Sequence, residues 1–207
     1  MIQPGAPEGQ ARSSAPGVPS AARRRRRSSR TPYGVALLVV GLLVGAAWLT
    51  RDHFEPVVAG HQAPEFLVTT LDGQSVGLDR YQGKVVLLNV WATWCAPCLE
   101  EMPSMERLYQ QLTGTDFEIL AVSVDLPVDG GVPVRTLESF ARELDLSFPI
   151  LYSPPGGPRS IQEIFQTAGV PESFLIGKDG VIYRRLAGPT VWDAPQYREQ
   201  IIRLLGD

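Results

Sequence analysis

Cys95 and Cys98 are the only cysteines in a chain of 207 residues, and two residues separate them. A bridge between them would close almost no loop, so it would restrict the unfolded chain very little. A secreted domain stapled by disulfides would need more cysteines at wider spacing. Chemistry is therefore the better reason for the pair. A thiolate is both a nucleophile and a soft metal ligand. In thiol–disulfide exchange one sulfur attacks a disulfide and the other resolves the mixed intermediate. In metal ligation, zinc would need four ligands, and the only two histidines, His53 and His61, lie far along the chain from the pair. Cu(I) held by the two sulfurs is the competing use.

The neighbouring sequence says how the pair is presented. Val85–Trp91 (VVLLNVW) is a short apolar run that suits a fully buried strand, and Met105, Leu108, Tyr109 and Leu112 recur at helical spacing beyond the cysteines. Trp94-Cys95-Ala96-Pro97-Cys98 thus sits where a strand ends and a helix begins. Unpaired amides and the macrodipole at a helix start favour negative charge, which lowers a thiol pKa from its usual value near 8.5. Pro97 falls in the first turn, where a missing N–H costs nothing. Two intervening residues bring the second sulfur onto the same turn. Cys95 is expected to be the exposed nucleophile and Cys98 the resolving thiol.

Further elements frame this junction. Two short segments between Phe66 and Leu78 flank Asp72-Gly73, a hairpin signal. Phe117–Val124 reads as a second buried strand and Phe148–Leu151 as a short one, with Leu137, Phe140, Ala141 and Leu144 marking a helix between them. Pro154-Pro155-Gly156-Gly157-Pro158 breaks the chain before a helix carrying Ile161, Ile164, Phe165 and Ala168. Phe174–Ile176 and Val181–Leu186 are strands joined by Lys178-Asp179-Gly180, and Tyr197, Ile201, Leu204 and Leu205 outline a closing helix. The alternation predicts an α/β fold, a three-layer sandwich with a central mixed sheet and helices on both faces, for residues 64–207.

The N-terminal region has another character. Residues 1–32 are rich in Pro, Gly, Ala, Ser and Arg and read as a disordered basic tail. Residues 33–50 contain no charge, and eighteen helical residues span roughly 27 Å, enough for one transmembrane helix. Arg23 to Arg27 and Arg30 precede this span, so the positive-inside rule leaves the N-terminus in the cytoplasm and exports residues 51–207. A cleaved signal, with Val57-Val58-Ala59 as the small-residue site, or a twin-arginine signal, would export them too. Residues 51–63 read as a patternless linker. Residues 51–207 hold 12 basic against 21 acidic side chains, which argues against nucleic-acid binding by the exported part.

With Trp-Cys-Ala-Pro-Cys at a strand-to-helix junction, the chain resembles the thioredoxin superfamily, and more narrowly its exported, membrane-tethered reductases of the TlpA, ResA and CcmG type. The resemblance covers about residues 62–206. Pro103, five residues after Cys98, matches a helix-kinking proline of the family. Gly169-Val170-Pro171-Glu172 matches the segment in which the family carries a cis proline beside the dithiol, which implies a cis Val170–Pro171 bond. Asn89 stands where cytoplasmic thioredoxins have a buried Asp, and Glu101 takes the position from which a Glu serves the exported reductases. The resemblance implies that Glu101 accepts the Cys98 proton; as a partly buried carboxylate it would have a raised pKa. Trp94, Pro97, Val170 and Glu172 are the residues that it implies meet the client. No cofactor is implied beyond the redox-active disulfide.

The Ala-Pro pair between the cysteines offers no charge or His to stabilise a thiolate further, which favours a reductant over an oxidase or isomerase. The family's usual client is the Cys-x-x-Cys-His haem-attachment site of apocytochrome c, and the resemblance implies that the reductant is recharged through a membrane electron donor of the CcdA or DsbD type. A thiol peroxidase is disfavoured: Thr93 precedes Cys95 by two residues, but Asn89 stands where that motif needs Pro. The expected location is the bacterial cell membrane, with a single pass and the catalytic domain extracytoplasmic.

Overall fold

A computed structural model describes residues 31–50, 57–156 and 159–206. The basic tail before residue 31, the first part of the linker with His53, and Gly157-Pro158 lie outside the described residues. The chain divides into two units, Met1–His53 and Phe54–Asp207.

The first unit contains α1, Thr31–Thr50, a helix without a charged residue. Among the described residues no helix is long and apolar enough to cross a membrane.

The second unit is built on a seven-stranded sheet of order β2-β1-β5-β4-β3-β6-β7. The hairpin of β1 (Val68–Thr70) and β2 (Ser75–Val76) forms around Asp72-Gly73, where Gly73 takes the positive φ of 85° that the turn demands. β3 (Val85–Trp91), β4 (Phe117–Ser123) and β5 (Ile150–Tyr152) run parallel. β6 (Glu172–Ile176) and β7 (Ile182–Ala187) close the other side antiparallel. Every residue of β3 is buried, which requires cover on both faces of the sheet. Around it are α2 (Ala96–Gln111), α3 (Val134–Glu143), α4 (Ile161–Ile164) and α5 (Pro195–Gly206). The helix expected to reach Ala168 is a single turn, because Gln166 takes a positive φ of 50° and ends it.

The core gathers Leu87, Leu88, Ile119, Leu120, Phe165 and Phe174 at the sheet centre, with Met102, Met105 and Leu108 of α2 packed against them. Residues 60–63 extend the sheet beside β7: Gly60 N donates to the Ile182 carbonyl and Ala63 N to that of Gly180, while Ile182 N donates to the His61 carbonyl. The register pairs Trp91 with Ser123 and Val90 with Glu172, so the carboxyl end of β3, the end of β4 and the start of β6 meet at one edge. The dithiol lies there.

Candidate active site

The chain leaves β3 at Trp91 and turns at once: Cys95 N donates to the Ala92 carbonyl at 3.1 Å. Cys95 is the N-cap of α2, and its Sγ accepts from Cys98 N at 3.2 Å. A thiolate at that atom would take the same bond with full charge assistance. Pro97 occupies the first turn. The two sulfurs are bonded to each other, with Cα atoms 5.3 Å apart. Cys95 keeps 4% of its surface and Cys98 none, and exposed Trp94, Ala96 and Pro97 surround the former. Cys95 is thus nearly buried rather than exposed as expected, and of the pair it alone reaches the surface. Trp94, at 68% exposure, stands out from the domain, whereas Trp91 is core against Phe140, with ring centroids 4.7 Å apart.

Glu101 follows Cys98 by three residues and shares its helix face. It is 2% exposed. Asn89 Nδ2 donates to its Oε1 at 2.6 Å and Thr190 N to its Oε2 at 3.1 Å. Burial pushes its pKa up to about 7, against the opposing pull of Asn89, Thr190 and Trp192. The Trp192 indole acts on this carboxylate electrostatically, yet its Nε1 makes no hydrogen bond of normal geometry. Asn89 Nδ2 also donates to Ser173 Oγ at 2.9 Å, which links β3, α2 and β6 beneath the dithiol. Ser104 secures the cover: its Oγ accepts from Trp192 N at 2.9 Å and lies 2.8 Å from the Glu101 carbonyl.

The Val170–Pro171 bond is cis. Pro171 immediately precedes β6, whose Glu172 is registered with Val90, so it falls level with the end of β3, the strand that leads into the dithiol. Val170 is half-buried at the same edge. The Glu172 carboxylate is turned inward rather than presented at the surface. It is 3% exposed and pairs with Arg185 Nε at 2.6 Å, because an unpaired carboxylate buried there would be too costly.

Asp125 is a site residue that the motifs do not single out. Its carboxylate accepts from Thr93 N at 3.2 and 3.1 Å, from Thr93 Oγ1 at 2.6 Å and from Ser123 Oγ at 2.7 Å. It pins the turn that carries Trp94 and Cys95. Its position does hold a signal, since Asp125 follows a buried strand at the carboxyl edge of the parallel strands, where sites of open α/β sheets form. Thr190 and Trp192 have no local signal. Among the described residues no three His, Cys, Asp or Glu side chains gather as a metal centre would require.

Comparison with known proteins agrees with this geometry. The family model of the AhpC/TSA family matches residues 59–185. "Thiol-disulfide oxidoreductase ResA" of Bacillus thuringiensis is 36% identical over 152 residues, 72% of this chain and 80% of the relative. The protein of that name from Geobacillus thermodenitrificans is 36% identical over 181 residues, 86% and 98% of the two chains. A Chlorobium tepidum crystal structure, a candidate thiol:disulfide interchange protein DsbE, superposes with a TM-score of 0.61 at 27% identity, covering 72% of this chain and 98% of the other. By its family match and these relatives, and with its N-capping Cys95 bonded to Cys98, this chain belongs to the thioredoxin-like AhpC/TSA family and is a thiol-disulfide oxidoreductase.

Proposed function

We propose that this oxidoreductase is tethered to the bacterial membrane and reduces protein disulfides outside the cytoplasm, with haem-attachment Cys-x-x-Cys-His segments of apocytochrome c as clients. One observation carries the chemistry: the buried Glu101 carboxyl stands one helical turn from Cys98, held by Asn89 Nδ2 and Thr190 N. The direction is supported by the Ala96-Pro97 pair, which offers no charge or His to stabilise a thiolate further. Starting from the dithiol, the Cys95 thiolate attacks one client sulfur and expels the other as thiolate. Cys98 gives its proton to ionised Glu101 and attacks Cys95 Sγ. The Cys95–Cys98 bond forms, the client sulfur held by Cys95 leaves as thiolate, and two electrons have passed to the client. Glu101 then returns the proton to solvent or to the leaving thiolate.

The uncharged stretch over 33–50, preceded by arginines, supports a single-pass anchor with the N-terminus in the cytoplasm. Tethering would raise the effective concentration of the domain near its partners. An oxidising compartment requires recharging, and a membrane donor of the CcdA or DsbD type would supply the electrons. Incubating the reduced protein with an oxidised Cys-x-x-Cys-His peptide tests the client reading. Reduction should occur, Cys95→Ser should abolish it, and Cys98→Ser should trap a mixed disulfide with the peptide. No trapped species would sink the reading.

A further inference from the structure

Arg185 lies on β7, away from the cysteines in sequence, yet its guanidinium spends all of its nitrogens on the edge beside them. Nε donates to Glu172 Oε1 at 2.6 Å, Nη1 to the Val57 carbonyl at 2.8 Å and Nη2 to the Gln166 carbonyl at 2.6 Å. Its Cζ lies 5.4 Å from the centroid of the Phe174 ring. Glu172 passes the restraint on, because its Oε2 accepts from Ala168 N at 3.1 Å. One planar fork therefore ties together the chain entering the domain at Val57, the loop after α4, the first residue of β6 and β7. Between Ala168 and Glu172 lie Gly169, Val170 and Pro171, and Glu172 is registered with Val90 at the end of β3, the strand that leads into the dithiol.

We infer that Arg185, acting through Glu172, is a positioning residue that fixes the segment 166–172 as the edge against which the client chain is laid beside Cys95. Its role rests on the proposed function and on the resemblance, which implies that Val170 meets the client. A rigid edge pre-positions the client disulfide, whereas a loose one must be ordered at each encounter. The thiols themselves are not touched by the fork, so the redox equilibrium of Cys95 and Cys98 is set elsewhere. The carbonyl of Val57 gives the clamp a second consequence: the chain that leads in from the N-terminal segment is fastened to the same edge.

Arg185→Lys keeps the charge and loses the three-way fork, while Glu172→Gln loses the charge and keeps one acceptor for Arg185, setting an NH2 against the Ala168 N–H. In the full-length protein, the KM for an oxidised Cys-x-x-Cys-His peptide should rise about tenfold in Arg185→Lys, with kcat held within about twofold. Glu172→Gln should give a smaller rise of about threefold. The rate with glutathione disulfide and the equilibrium constant with glutathione should both stay within about twofold of the parent. An unchanged peptide KM in Arg185→Lys overturns the inference, and so does a parallel fall with peptide and glutathione disulfide, which would mark general damage. Should both variants fail to fold, amide exchange of Ala168 in the unaltered protein decides. Protection comparable with β6 supports the clamp, and exchange as fast as an open loop overturns it. If the unaltered protein reduces glutathione disulfide but not the peptide, the client reading fails instead.

Discussion

Glu101 is neutral below about pH 7 and ionised above it, and that change reaches both turnover and stability. Resolution of a mixed disulfide needs Cys98 deprotonated, so turnover should rise through about pH 7. Glu101→Gln should remove that inflection and slow turnover by about 10²-fold; stopped-flow kinetics over a range of about pH 5 to 9 would show it, and an unaltered profile would refute the proton-acceptor role. Stability runs in the opposite sense. The folded-state pKa of about 7 lies above the ordinary value of 4.5, so the folded protein holds this proton more tightly than the unfolded chain. Stability from this group is therefore lost as pH rises from about 4.5 through about 7, by roughly 3 kcal/mol. Thermal unfolding should find Glu101→Gln gaining on the parent between about pH 5 and about pH 8.5. Asp125→Ala leaves Thr93 N and Ser123 Oγ without their acceptor and should cost about 1–3 kcal/mol in denaturant unfolding.

At the scale of elements, α2 organises the site through its first two turns. Cys95 caps it, Cys98 and Glu101 share its inner face, and Ser104 fastens it to the 190–192 segment. Ser104→Ala strands the buried Trp192 N–H and should lower stability by about 1–3 kcal/mol, read as a drop in melting temperature. What is legible in the sequence here depends on locality. β3 is legible residue for residue, because a strand buried on both faces is an unbroken apolar run. The capping position of Cys95 and the place of Pro97 are legible from the strand-to-helix junction. Thr190 and Trp192 reach Glu101 from about 90 residues away, through a backbone N–H and a ring that carry no local pattern. The burial of Glu172 against Arg185 is not legible, since that partner lies across a strand pairing that only the fold creates. The pairing of residues 60–63 with β7 is invisible for a related reason: backbone bonds make it, and those select no side-chain pattern.

For the whole molecule, the parallel core strands with the antiparallel pair β6 and β7 bring the strand that leads into the dithiol level with the start of β6 and its cis proline. The order of strands and helices conveys this architecture, because alternating buried runs and amphipathic stretches leave few ways to cover both faces of a sheet. The tether belongs to this scale as well. Full-length protein should stay in the membrane fraction after an alkaline carbonate wash, and removal of residues 33–50 should release it; a mature N-terminus near Gly60 would contradict the anchor. At the centre of the proposed function stands a dithiol that gives electrons. Equilibrating the Cys95–Cys98 pair against redox buffers measures that directly. A reduction potential well below about −200 mV is predicted, and a value near about −120 mV, that of a strong disulfide oxidant, would contradict it.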